Sequence, residues 1–219
     1  MNEGFRIKDC ALAEIATGSR AQNLRELWAI LETIDADSIY YHFWGALLRP
    51  RFINREFNND FAEWARAALR DFRLAERLSV IDPNGFPAMD DLRRELLEVI
   101  EERLEETEHV PWAKLDQQFY FRRSKIVVFD TGITVAAPEE LPGLMPNLSI
   151  SSVFYHFIDA RRREPLGYDD LRAWLSGCGP AYDDLCAELA SIDPYFQSLP
   201  ELRAQLAGVI GAWFEAART

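Results

Sequence analysis

Ser38-Ile39-Tyr40-Tyr41-His42-Phe43-Trp44 returns later in the same chain as Ser152-Val153-Phe154-Tyr155-His156-Phe157-Ile158. Such a pair marks an internal repeat, and the matches extend outward from it on both sides. Upstream, Thr17-Gly18 matches Thr131-Gly132 and Leu27 matches Leu141. Downstream, Asp60-Phe61-Ala62-Glu63-Trp64 matches Asp170-Leu171-Arg172-Ala173-Trp174, and Ile81-Asp82-Pro83 matches Ile192-Asp193-Pro194. Leu92-Arg93, Leu96 and Val99-Ile100 return as Leu202-Arg203, Leu206 and Val209-Ile210. The repeat predicts a first module over residues 1–108, a linker over 109–119 and a second, diverged copy over 120–219. Each module then has an ordinary domain size of about 100 residues.

Each copy opens on a segment that reads as extended, Arg6 to Ile15 and Tyr120 to Asp130. Ile126-Val127-Val128-Phe129 is β-branched and aromatic, which favours a strand. Ala11 to Ala16 also suits a helix, and the match to the second copy decides for the extended form. The Thr-Gly pairs read as turns that end these strands. Helical patterning follows, with Leu24, Leu27, Trp28 and Leu31 on one face. In the second copy Pro138-Glu139-Glu140-Leu141 opens a helix that Gly143 and Pro146 stop early. Ser38 and Ser152 are placed to cap the next helix. Asp60, with Glu63 three residues on, has the spacing of a capping box. A further helix over Leu74 to Val80 is closed by Asp82-Pro83, and the last runs from Asp90 to Glu106. The pattern predicts a mainly α fold with a small β component, built as two tandem homologous helical modules packed on each other about a pseudo-two-fold axis.

Of the 219 residues, 48% are hydrophobic and 27% charged, a globular composition. A net charge of −12 argues against nucleic acid and against an anionic membrane surface, because both need clustered Lys and Arg. Three cysteines, Cys10, Cys178 and Cys186, are widely spaced without a CxxC pair, which suits a reducing compartment and neither a disulfide framework nor zinc. No signal-like apolar stretch opens the sequence, and a cytoplasmic location is the simplest expectation.

His42 and His156 are the natural candidates for chemistry, each followed seven residues later by an arginine, Arg49 and Arg163. In the first copy Tyr41, His42, Trp44, Arg49 and Arg51 compose a candidate ligand site. The arginines would grip an anion, His42 would donate a hydrogen bond, and an aromatic ring would stack on a sugar face. In the competing reading each histidine is a structural donor to Asp60 or Asp170, since a buried polar group must find a partner. Asp60 and Asp170 themselves read as helix N-caps, and Trp64 and Trp174 as core. The acidic run around Glu101 to Glu106 reads as a solvated face. At the other end of the chain Trp213 and Phe214, among small residues, form a candidate interface. The GxSxG, HExxH and phosphate-loop patterns are missing, so no catalytic residue, metal ligand or cofactor is assigned.

Phe5 to Cys10, Ala16 to Leu27, Ser38 to Trp44, Asn59 to Trp64 and Leu74 to Asp82 together resemble an uncharacterised prokaryotic family, a domain of unknown function. Its pattern is FRxKDC, ATGxxAxNLxEL, SIYYHFW, NDFxxW and LAERLxxID. The second copy departs from it at Asp169, Ile158 and Ala137, which puts any site there in doubt. The resemblance implies no activity, and its one association is with carbohydrate-handling enzymes. The expectation is a cytoplasmic, non-catalytic binding or accessory module for a protein partner or a small polar or anionic ligand, as monomer or homodimer. The alternatives are an enzyme acting on a sugar or sugar phosphate through His42, Arg49 and Arg51, and a homo-oligomeric assembly module.

Overall fold

The protein was analysed as a computed structural model that describes residues 3–48, 56–163 and 167–217. The fold is mainly α with a two-stranded sheet. Strand β1 spans Phe5–Ala21 and β2 spans Phe119–Val135. Thr17 Oγ1 donates to the Phe121 carbonyl, and Thr131 Oγ1 donates to the Ile7 carbonyl. The pairing therefore runs in opposite directions along the two strands, which makes the sheet antiparallel.

Both strands are longer than the sequence predicts, because neither Thr-Gly pair ends its strand. Gly18 and Gly132 adopt φ of 83° and 73° within the strands, a conformation that glycine reaches without a Cβ penalty. Thr17 Oγ1 also accepts from the Ser19 amide, so the local kink satisfies its own polar groups and the ladder continues.

The chain divides into two compact units. The continuous unit is Leu12–Lys125; the discontinuous unit joins Met1–Ala11 to Ile126–Thr219. The expected division differs from this at two places. Residues 109–119 are held within the continuous unit, where the Ala113 amide donates to the Gln22 carbonyl and Trp64 Nε1 donates to the Gln117 carbonyl. The first residues of β1 belong to the discontinuous unit, where Thr131 bonds Ile7.

Five α-helices form the continuous unit among its described residues: α1 (Leu24–Leu31), α2 (Ala36–Trp44), α3 (Asp60–Ala67), α4 (Phe72–Ser79) and α5 (Met89–Glu105). The caps of α2 and α3 sit three residues and one residue before the expected Ser38 and Asp60. Asp35 caps α2, which leaves the Ser38 hydroxyl inside the helix to donate to the Arg122 carbonyl at 2.7 Å. Asn59, not Asp60, caps α3 through the Ala62 amide, and no capping box forms with Glu63. Asn59 is fully buried because its Nδ2 also donates to the Leu78 carbonyl, a second bond that an aspartate cannot make. The core here is Leu27, Leu31, Ile39, Phe43, Phe61 and Leu74, all fully buried.

In the discontinuous unit α6 (Leu141–Leu144) is followed by α7 (Ile150–Val153), α8 (Asp170–Cys178), α9 (Asp183–Ala190) and α10 (Leu199–Ala216). Ser149 caps α7 in place of the expected Ser152, and Asp169 caps α8 in place of Asp170. Phe154–Ile158 continues α7 as a single wider π-helical turn. Ser198 and Glu201 form a capping box on α10. Among the described residues no helix is long and apolar enough to cross a membrane.

Candidate functional site

Because Asn59 takes the capping role, Asp60 stands at the first position of α3 with its carboxylate available to side chains. Asp60 Oδ2 lies 2.8 Å from His42 Nδ1 on α2. The other ring nitrogen, Nε2, receives the backbone N–H of Arg122 on β2 at 3.1 Å. An N–H aimed at Nε2 requires the lone pair there, so the ring proton sits on Nδ1 and is donated to Asp60. His42 is 2% exposed, with Phe119 and Phe61 rings packed on it at centroid distances of 4.6 and 5.4 Å. It ties two helices to a strand, as the structural reading expected. Both its nitrogens are engaged within the fold.

Beside this tie lies a cavity of about 360 Å³, contained in the continuous unit. Tyr41, Glu63, Trp64 and Tyr120 line it, together with the amides Gln117 and Gln118 and the Arg122 side chain. The walls have built positions. Trp64 is held by its bond to the Gln117 carbonyl at 2.8 Å. Tyr41 lies against the backbone of Gly45, where an added Cβ would come within 2.7 Å of the ring. Arg122 Nη1 is paired with Glu14 at 2.8 Å. Glu63 is different: its Oε2 is buried and has no hydrogen-bond partner among the described residues. A buried acceptor left without a donor is costly and asks for an explanation.

The discontinuous unit holds a corresponding arrangement. His156 Nδ1 lies 2.7 Å from Asp170 Oδ2, and His156 Nε2 accepts the Lys8 amide at 2.9 Å. Trp174 Nε1 donates to the Glu3 carbonyl at 3.1 Å. Here Arg163 fills the neighbourhood. Its guanidinium donates to Asp170 Oδ2 at 3.0 Å and to the Tyr155 carbonyl at 2.9 Å, and lies over the Tyr155 ring at 4.2 Å. Burial works to push the Asp170 carboxyl up, but the bond from His156 and the Arg163 charge outweigh it and hold the group below its ordinary range. At the position matching Glu63 stands Ala173.

Of the residues expected to form a ligand site, Tyr41 and His42 line the cavity. Trp44 does not: it is buried, with its ring stacked on Tyr40 at 4.9 Å. Arg49 and Arg51 lie outside the described residues. Phe214, expected at an interface, is buried inside its own unit, and Trp213 packs on Phe214 and Tyr182 at 4.8 and 5.5 Å. The sequence reading missed Glu63 as a site residue, along with Gln117, Gln118 and Arg122. The replacement of Glu63 by Ala173 in the repeat was the one signal for it, whereas Gln117 and Gln118 fell in what read as a linker. Among the described residues no group of three or more His, Cys, Asp or Glu side chains is placed to hold a metal ion.

The family model of DUF5752, a family of unknown function, matches residues 2–211, and the chain belongs to that family. Among solved structures, OrfY from Thermoproteus tenax shares the fold, with a TM-score of 0.81 over 97% of each chain at 24% sequence identity. No curated protein matches the chain.

Proposed function

We propose that this protein is a non-catalytic binding module that takes up a small polar ligand in the cavity of its continuous unit. The observation that carries the reading is a cavity of about 360 Å³, within the usual size range of small-molecule sites, lined by Tyr41, Trp64 and Tyr120 together with the polar side chains Glu63, Gln117, Gln118 and Arg122. The engagement of both His42 nitrogens supports binding over catalysis, since a general acid or base needs a ring nitrogen that reaches the ligand. The enzyme alternative, with His42 as acid–base and Arg49 and Arg51 gripping an anion, lacks that nitrogen.

The proposal includes a tandem duplication of the motif-bearing module. The matched bonds of His42 and His156, and of Trp64 and Trp174, support it. In this reading the duplicated element is the scaffold, and only the first copy carries a site. The second has Ala173 for Glu63 and an Arg163 that occupies Asp170 and Tyr155. A cytoplasmic location and an accessory role beside carbohydrate-handling enzymes belong to the same proposal.

A thermal-shift screen of sugars, nucleotides and phosphorylated metabolites, repeated on Ala67→Trp, tests it. Ala67 is an exposed residue on the cavity wall, so a tryptophan there fills the cavity without entering the core. A ligand that raises the melting temperature of the wild type and not of the variant supports the reading. Hits that stabilise both proteins equally would place binding elsewhere and overturn it.

A further inference from the structure

We infer that residues 125–130 of β2 form a homodimer surface, onto which the same segment of a second molecule adds as an antiparallel strand about a two-fold axis. The inference is independent of the cavity reading.

β2 has one neighbour in the sheet, so its other edge has no strand beside it among the described residues. Near its start that edge is occupied, since the Arg122 N–H donates to His42 Nε2 and the Arg122 carbonyl accepts from Ser38 Oγ. Farther along, residues 127–134 are exposed without interruption. Burial of one face would leave only every second side chain exposed, so neither face of this stretch is covered. Val127, Val128, Phe129 and Ile133 are each 42–50% exposed. A bare edge that is also apolar is a template for another strand, and proteins that stay monomeric blunt such edges with charge.

The matching stretch of β1 is blunted in that way. At a displacement of 114, Ala13 and Glu14 stand where β2 has Val127 and Val128, and Gly18 bends that strand with a positive φ as Gly132 bends this one. Glu14 is ion-paired with Arg122. A kinked, exposed strand of this kind therefore does not require valines at these places, and in β2 they are exposed to solvent instead of packed within their own unit.

Charge selects the occupant and its direction. The chain carries a net charge of −12, yet this segment is balanced. Lys125 opens it, Asp130 closes it, and the four residues between them, Ile126, Val127, Val128 and Phe129, are uncharged. An antiparallel second molecule brings the lysine end of one strand to the aspartate end of the other, and the apolar runs meet. A parallel one would set like charges together. The antiparallel arrangement is its own complement and closes after two molecules, as a two-fold interface must. Main-chain hydrogen bonds along the edge supply the affinity, and the cross-strand apolar pairs supply the register. The kink at Gly132 limits the run, so the interface is small and the dimer weak.

Sedimentation velocity of the full chain over a wide range of concentration tests this, together with hydrogen-exchange mass spectrometry of the peptide covering residues 125–130. The proteins compared are wild type, Val128→Glu, Val128→Thr and Val80→Glu. The wild type should pass from monomer to dimer as concentration rises, with exchange in that peptide slowing in step. Val128→Glu should stay monomeric. Val128→Thr keeps the β-branched shape and should weaken the dimer about tenfold, since each molecule loses one apolar methyl. Val80→Glu, at an exposed residue of the continuous unit, should dimerise as the wild type does. A wild type that is monomeric throughout overturns the inference. Free exchange of the peptide would then leave the edge to a different protein, and protection would mean that this chain covers it itself. A dimer left intact by both Val128 variants, or weakened equally by Val80→Glu, also overturns it. If Val128→Glu fails to fold, Val128→Thr and the exchange of the wild type decide.

Discussion

His42 donates from Nδ1 to Asp60 across 2.8 Å, and the same ring accepts the Arg122 amide through Nε2 at 3.1 Å. The arrangement joins α2, α3 and β2 through one side chain that is 2% exposed. It exists because the α3 cap is Asn59, which leaves the next carboxylate free of backbone duty. Deleting such a ring exposes two polar groups to an apolar void. His42→Ala is therefore expected to destabilise the protein by roughly 3 kcal/mol or more, from cavity and orphan costs together. Urea unfolding followed by tryptophan fluorescence measures this. An unchanged midpoint, with ligand binding lost, would return His42 to the role of a ligand contact.

Gly45→Ala is expected to perturb the cavity from behind. The added methyl carbon would stand 2.7 Å from the Tyr41 ring, and Gly45 has an ordinary helical φ of −60°, so the effect is a clash and not backbone strain. Overpacking of this kind costs about 1–3 kcal/mol. With Tyr41 displaced, affinity for the cavity ligand should fall along with stability, whereas Gly85→Ala, where a Cβ meets nothing within 4 Å, should leave affinity unchanged. Paired titrations on the two variants make the comparison.

Acid should weaken the discontinuous unit through Asp170. Its folded carboxyl is held below the ordinary carboxylate range, with the His156 and Arg163 contacts overcoming the opposing effect of burial. A depressed folded value means that the stabilisation is fully present above the unfolded value and is lost as pH falls through the folded one. The gap in melting temperature between wild type and Asp170→Asn should be constant from neutral pH to about pH 5 and shrink only below the ordinary carboxylate range. A gap that grows on acidification would contradict the geometry.

Cysteine reactivity should follow burial. Burial, followed by the Asp9 and Asp159 charges, pushes the Cys10 thiol up to about 12, against a smaller opposing effect of Arg163. Burial likewise raises the Cys186 thiol. The thiolate is the reactive form, so both should resist alkylation in the folded protein. Cys178, at the end of α8, is partly exposed and should be labelled first by iodoacetamide at pH 8. Mass spectrometry of peptides after timed quenching gives the order, and early labelling of Cys10 would refute it.

Much of the helical content was legible because it is written locally. The apolar spacing of Leu24, Leu27 and Leu31 returned as buried residues of α1, and Leu92, Leu96 and Ile100 returned as the buried stripe of α5. The caps were displaced by one to three residues. Asp, Asn and Ser cluster around the starts of α2, α3, α7 and α8, and which of them closes the first turn depends on what else competes for its side chain. Asn59 won over Asp60 because the Leu78 carbonyl from α4 took its amide. The Thr-Gly pairs misled because a glycine with positive φ serves a kink as well as a turn. Only a paired strand on the other side shows which.

By itself the sequence determined the paired motifs, the helical class and the matched histidines, because periodicity and capping are short-range properties of the chain. It also recorded the difference between Glu63 and Ala173, though not its meaning. Tertiary structure decided that His42 Nε2 is used by the Arg122 amide, that residues 109–119 belong to a unit whose cavity Gln117 and Gln118 line, and that Glu63 Oε2 is buried without a donor among the described residues. These facts join residues tens of positions apart. No local pattern encodes whether a buried polar atom has found its partner, since that depends on which distant groups the folded chain brings within hydrogen-bonding reach.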